Sequence, residues 1–191
     1  MDVIASGAEA VITRDGDTIT KTRILKRYRL PQIDEKLRRE RTKAEAKLIS
    51  EARRCGVPTP IIRDVTDFEI KMEYIDGTML KNVITQELSE KTGELIGRLH
   101  ACGIVHGDLT TSNILYKNEK LFLIDFGLAY LDKTLEARGV DIHVLFQTFE
   151  STHDNHDVLV EAFKKGYRRK AEFAEDVIKR VREIESRGRY A

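Results

Sequence analysis

Apolar and polar residues alternate over the first quarter of the chain and give way to a helical rhythm afterwards. Asp2 to Ser6 and Ala10 to Arg14 read as short strands separated by Gly7. Asp15-Gly16-Asp17 is a hairpin signal ahead of a third strand, Thr18 to Ile24. From Asp34 to Arg54 the positions Leu37, Ala44, Leu48, Ile49 and Ala52, with the stem of Arg41, recur at helical spacing within a charged sequence. They predict one long amphipathic helix, stopped by Gly56, Pro58 and Pro60. Ile61 to Val65 and Phe68 to Tyr74 complete a unit of five strands and one helix.

Asp76-Gly77 marks a break, after which the pattern is mainly helical. Leu88 to Cys102 carries Leu88, Leu95, Ile96 and Leu99 on one face and closes on Gly103. A strand pair, Ile114 to Tyr116 and Leu121 to Ile124, precedes helices over Asp141 to Phe149, Asp157 to Arg169 and Glu172 to Glu185. Ser186 to Ala191 reads as a mobile tail. The expected fold class is α+β in two lobes. Residues 1–75 form an antiparallel sheet lobe with one long helix, and residues 76–191 a mainly helical lobe.

The 191 residues are 41% hydrophobic, enough for a core and against intrinsic disorder. No run approaches the roughly 20 apolar residues of a membrane span, and Met1 to Gly7 lacks a signal-peptide pattern, so a cytoplasmic protein with no membrane partner is expected. Cys55 and Cys102 have no metal-binding spacing and read as buried, reduced thiols. The net charge of +1 hides segregation. Lys21 to Lys47 holds 11 basic and 4 acidic residues, an excess of +7. Lys164 to Arg189 holds 10 against 5, an excess of +5, so two basic stretches flank an acidic middle. Such segregation fits nucleic acid, an acidic partner or solvated helix faces with local ion pairs.

The densest chemistry lies in His106-Gly107-Asp108-Leu109-Thr110-Thr111-Ser112-Asn113, followed after the strand pair by Asp125-Phe126-Gly127. Phosphoryl transfer needs one carboxylate to orient an acceptor hydroxyl and oxygen ligands for magnesium. Asp108 suits the first role, and Asn113 and Asp125 the second. These segments resemble the catalytic loop and metal-binding motif of protein kinases. That resemblance calls for a strand lysine held by a helix carboxylate. Lys21 and Glu45 fit best, with Lys26 and Glu40 behind them. Ser6-Gly7-Ala8-Glu9-Ala10 keeps only one glycine of the usual phosphate-covering loop, and the adenine is expected against Met72, Glu73, Tyr74 and Ile75. ATP and Mg2+ are the implied cofactors.

Several departures narrow the resemblance. Gly107 and Thr110 stand where typical protein kinases carry Arg and Lys. Few residues separate Gly127 from Asp141, and no Ala-Pro-Glu follows, which leaves little room for a phosphorylation switch or a peptide platform. The chain as a whole resembles the small kinase-like subunit of the KEOPS complex, the PRPK-like family, in its compact archaeal form. The match runs through Gly7 to Ala10, Lys21 to Pro31, Arg41 to Ala46, His106 to Asn113, Ile124 to Leu128, Gly139 to Asp141, Ser151 to His153 and Arg187 to Arg189.

This resemblance implies a bilobal atypical serine/threonine kinase that acts chiefly as an ATPase in forming threonylcarbamoyladenosine in tRNA. The implied partners are the threonylcarbamoyl-transferase subunit, to which it is fused in some archaea, and a further small subunit on the first lobe. The basic stretches then face tRNA or an acidic subunit. An aminoglycoside or choline kinase type of phosphotransferase is the alternative in substrate class. A RIO-type kinase shares the missing activation segment but is expected to lack Phe126-Gly127. A scaffold that binds nucleotide for rigidity alone is the reading without chemistry.

Overall fold

The computed structural model describes residues 2–188. Its N-terminal sheet contains β1 (Asp2–Ser6), β2 (Ala10–Asp15), β3 (Thr18–Arg23), β4 (Ile62–Val65) and β5 (Glu69–Glu73). All pairings are antiparallel, in the order β1-β2-β3-β5-β4. Gly16, at φ +59°, closes the β2–β3 hairpin between paired Asp15 and Thr18. Helix α1 (Pro31–Arg54) lies between β3 and β4 in sequence. It starts three residues ahead of the expected Asp34 because Pro31 suits the first helical turn, where its missing N–H is no loss. Ala46 packs with Ile70 and Met72 beneath the sheet. Leu48, Ile49 and Ala52 instead enter the main core with residues from the helical part.

Beyond residue 75, β6 (Thr78–Met79), β8 (Ile114–Lys117) and β9 (Lys120–Leu123) form one small sheet, and β7 (Ile104–Val105) pairs with β10 (Tyr130–Leu131). The two-residue strands have no periodicity to read, and the sequence pattern does not reveal them. Helices α2 (Gln86–Ala101), α3 (Leu135–Thr152), α4 (His156–Arg168) and α5 (Ala174–Gly188) build the remainder. Helices α2 and α4 cross closely: a Cβ on Gly166 would stand 1.8 Å from the Glu90 carbonyl oxygen, and one on Gly93 would stand 2.0 Å from that of Phe163. None of the described helices is long and apolar enough to cross a membrane.

Three expectations change. Helix α3 begins at Leu135, six residues before Asp141, because the Thr134 hydroxyl accepts the Ala137 N–H and caps it. Helix α5 continues through Ser186 and Arg187 to Gly188, so these are not tail. The Arg187 guanidinium reaches Glu136 on α3 at 3.2 Å. Residues 189–191 of the expected tail lie outside the described residues. Cys55 and Cys102 are not reduced thiols: they form a disulfide across 47 residues, with Cα atoms 6.5 Å apart, and both are half-buried. Each follows the last residue of a helix, α1 or α2, and packing of those ends in one core brings them together.

Candidate functional site

A cavity of about 420 Å³ opens between the β1–β2 turn and the segments after β7 and β9. Its lining includes Ser6, Gly7, Glu9, Lys21, Asp108 and Asp125, together with Ala8 and Ala10 of the turn. The turn is tight, and the Gly7 N–H is donated to the Ala10 carbonyl at 3.0 Å. That amide is therefore engaged within the loop. Glu9 projects sideways, its carboxylate 3.0 Å from the Arg41 guanidinium on α1.

Beneath the turn, the Lys21 ammonium lies 2.6 Å from Glu45 Oε1 and 2.7 Å from Asp125 Oδ1. Lys21 and Glu45 are nearly inaccessible, whereas the Asp125 side chain is 48% exposed. Burial works against the Lys21 ammonium, but the charges of Glu45 and Asp125 outweigh it and hold its pKa above the ordinary lysine value. Asp125 shifts the other way: burial raises it, and the nearby Lys21 charge brings it below the usual carboxylate range. The two alternative partners lie elsewhere. Lys26 donates to the Ala8 carbonyl, and Glu40 faces Lys36 at 3.9 Å on the exposed side of α1.

Asp108 is exposed at the cavity edge. The Asn113 amide donates to its carbonyl at 2.8 Å and to its carboxylate at 3.0 Å. This orientation turns Asn113 Oδ1 away from Asp108. Asp125 has φ +60°, a conformation uncommon outside glycine and a form of local strain found at functional sites. Its Oδ1 takes both Lys21 and the Gly127 N–H, the latter at 3.2 Å. Among the described residues no group of three or more His, Cys, Asp or Glu side chains forms a metal cage. One carboxylate and one amide oxygen fit magnesium, which keeps most of its shell for water and phosphate oxygens.

The four residues expected against adenine do not line this cavity. Met72 and Ile75 are buried, and the Tyr74 N–H is donated to the Asp17 carbonyl at 2.7 Å. The Tyr74 ring carries the Arg14 guanidinium 3.7 Å above its centroid, while the Glu73 carboxylate accepts the Ile61 N–H.

Two supports carry no role in the sequence reading. Arg23, 5% exposed, binds Glu45 Oε2 at 2.5 Å, so one carboxylate is shared by two cations. Its position two residues after Lys21 puts both on one strand face, which was the available signal. Asp141 on α3, 2% exposed, accepts the N–H groups of His106 and Gly107 at 2.9 Å each and His100 Nε2 at 3.1 Å. Burial raises this carboxyl, but its bond to His100 and the neighbouring charge hold it below the ordinary range. His100 Nδ1 in turn meets the Tyr167 hydroxyl at 2.9 Å, and His106 Nε2 meets the Ile124 carbonyl at 3.0 Å. Gly107 has φ +78°, and a Cβ there would stand 2.2 Å from the Leu128 carbonyl oxygen. No arginine fits at that position.

The RIO domain family matches residues 17–176. The "Probable bifunctional tRNA threonylcarbamoyladenosine biosynthesis protein" of Methanosarcina barkeri is 60% identical over 195 residues, which cover 100% of this chain and 36% of that protein. The chain thus spans little more than a third of that relative. The "Probable serine/threonine-protein kinase BUD32 homolog" of Archaeoglobus fulgidus is 45% identical, covering 96% of this chain and 94% of its own. The "KEOPS complex subunit Bud32" of Pyrococcus abyssi is 44% identical, covering 90% and 84%.

Among solved structures, the Rio2 kinase of Chaetomium thermophilum in its ADP/Mg2+-phosphoaspartate complex superposes with a TM-score of 0.66. It has 18% identity and covers 100% of this chain and 72% of its own, which establishes the kinase-like fold. Phe126-Gly127 after Asp125 therefore does not set the chain apart from RIO proteins, contrary to the expectation from sequence. On its own match to the RIO domain and its near full-length identity to Bud32-type proteins, the chain belongs to the RIO-domain family of atypical kinases.

Proposed function

We propose that this chain is an ATP-dependent phosphotransferase module of the KEOPS type that works mainly as an ATPase supporting threonylcarbamoyladenosine formation in tRNA. The observation that carries the reading is the Glu45–Lys21–Asp125 chain of contacts, 2.6 and 2.7 Å, facing Asp108 within one cavity. The names of the archaeal relatives favour tRNA modification over the aminoglycoside or choline kinase alternative. In this reading residues 1–75 are the lobe that covers the nucleotide and residues 76–191 supply the catalytic loop. The threonylcarbamoyl-transferase subunit, a further small subunit and, through the complex, tRNA are its partners.

The buried Lys21 ammonium is held charged by Glu45 and directed at the α and β phosphates. Glu45 is fixed from its other side by Arg23, so the carboxylate that holds the lysine is itself anchored. Asp125, through its carboxylate, and Asn113, through its amide oxygen, would hold a magnesium ion. Bound magnesium supplies charge neutralisation for the phosphates and for the leaving oxygen. Asp108 accepts a hydrogen bond from the attacking water or hydroxyl and aligns it. Its own position depends on Asn113 and on the loop backbone that Asp141 holds.

Magnesium-dependent ATP hydrolysis, alone and with the transferase subunit and tRNA, tests this reading. Asp125→Ala abolishes turnover and weakens Mg-nucleotide binding, whereas Asp108→Ala loses turnover and keeps binding. Equal losses of affinity in the two variants refute the division of roles. Turnover with an amino alcohol or aminoglycoside and none with the assembled complex moves the assignment to the small-molecule class.

A further inference from the structure

The cavity continues past Lys21 to a second pair of cations, Arg23 on β3 and Arg41 on α1, which the assigned roles leave without a ligand. Strand β3 starts at Thr18, paired with Glu73, and runs toward Arg23. Arg23 lies two residues beyond Lys21 on the same face, about 7 Å farther along the strand. In the reading above, that direction leads from the adenine side past the α and β phosphates.

Arg23 is 5% exposed, and its Nε–H has no acceptor. One of its terminal nitrogens binds Glu45, and the same nitrogen lies 3.5 Å from the Arg41 backbone carbonyl, so Arg23 is tied to α1 at the residue that carries the second cation. The Arg41 guanidinium meets the Glu9 carboxylate at 3.0 Å, and Glu9 also lies 4.0 Å from Arg29. A carboxylate from the phosphate-covering turn thus holds Arg41 and lines the same cavity as Arg23. Lys21, Arg23 and Arg41 are balanced by Glu45, Asp125 and Glu9. When Asp125 turns to a metal ion and Glu9 swings out, the three cations face only Glu45, and the net double positive charge matches a phosphate dianion.

We propose that Arg23 and Arg41 form a phosphate-binding position at the far end of the cleft, and that Glu9 occupies it as a competing carboxylate that a phosphate displaces. The proposal rests on the nucleotide reading above. Its ligand is the terminal phosphate of ATP or the orthophosphate left after hydrolysis, which share one chemistry. It gives the single-glycine turn a function: the loop lacks glycines to wrap the phosphates closely, and a side chain of the loop controls access to them.

Calorimetric titration with magnesium separates the possibilities, using ADP, a non-hydrolysable ATP analogue and orthophosphate against wild type, Arg41→Ala, Glu9→Gln and the double variant. Arg41 and Glu9 are exposed, and an unchanged circular dichroism spectrum and thermal midpoint serve as the folding control. Arg41→Ala is expected to weaken the ATP analogue about tenfold and leave ADP unchanged. Glu9→Gln is expected to tighten the analogue several-fold, and to have no effect once Arg41 is alanine. Orthophosphate that competes with the analogue in wild type and not in Arg41→Ala identifies released phosphate as a further occupant. Absence of that competition, with the analogue effect intact, assigns the position to the third phosphate of the nucleotide. Equal weakening of ADP and the analogue in Arg41→Ala, or weakening of the analogue by Glu9→Gln, overturns the proposal while the nucleotide reading stands. Wild-type protein that binds neither nucleotide overturns both.

Discussion

The Asp141 carboxylate on α3 receives the backbone N–H of Gly107 at 2.9 Å, across 34 residues of sequence, and through it fixes the loop that carries Asp108. The same carboxylate takes the His106 N–H and the His100 ring, whose far nitrogen meets Tyr167 on α4. The loop that carries Asp108 is thus tied to the helical core by a buried acid.

Asp141→Asn tests that arrangement. Its amide nitrogen would be a donor facing donors, and the unfavourable contact is buried. A loss of about 3 kcal/mol in urea-unfolding free energy is expected, together with a fall in turnover larger than any change in nucleotide affinity. Unchanged stability with normal turnover would show that the loop is held by other contacts. His100→Ala should cost less, because the two backbone bonds to Asp141 remain.

The pH dependence of stability follows from the shifted groups. Asp125 and Asp141 titrate below the ordinary aspartate value of about 3.8. Their contribution is therefore present above that value and is lost as pH falls through the lower folded pKa. Lys21 is raised above about 10.5, so its contribution is complete below that value and lost as pH rises through the folded pKa. The expected profile is a plateau between about pH 5 and pH 9, with Asp141→Asn flattening the acid limb. Denaturant midpoints measured every half unit of pH check this, and an acid limb of equal slope in the variant excludes Asp141 as its source.

The Cys55–Cys102 disulfide joins the ends of α1 and α2 and closes a loop of 47 residues. Reduction, or Cys55→Ser, is expected to lower stability by about 2 to 4 kcal/mol, chiefly by freeing the unfolded chain. Thiol titration of unreduced, denatured protein should find no free cysteine. Two free thiols would remove the premise.

Gly107→Ala should be costly out of proportion to one methyl group. The residue adopts φ +78°, and the new Cβ would press on the Leu128 carbonyl at 2.2 Å. A loss of about 2 kcal/mol and a marked drop in turnover are expected, because the strain falls between Asp108 and the Asp141 anchor. A thermal midpoint within one degree of wild type, about 0.5 kcal/mol or less, would contradict it.

The sequence by itself determined whatever is periodic or close in register. The three strands before α1 and the body of each long helix were legible, because alternation and helical spacing are local consequences of backbone geometry. It also held the motifs through which the chain resembles the KEOPS kinase-like subunit. Tertiary structure alone decided which distant groups meet. Arg23 joins the Lys21–Glu45 pair that the sequence favoured, Asp141 reaches the loop that carries Asp108, and Cys55 reaches Cys102. It also turned the Tyr74 N–H to Asp17 and raised two-residue strands where no pattern exists. Each of these depends on how separate strands and helices pack together. That packing is set by contacts far apart in sequence, and periodicity carries no information about them.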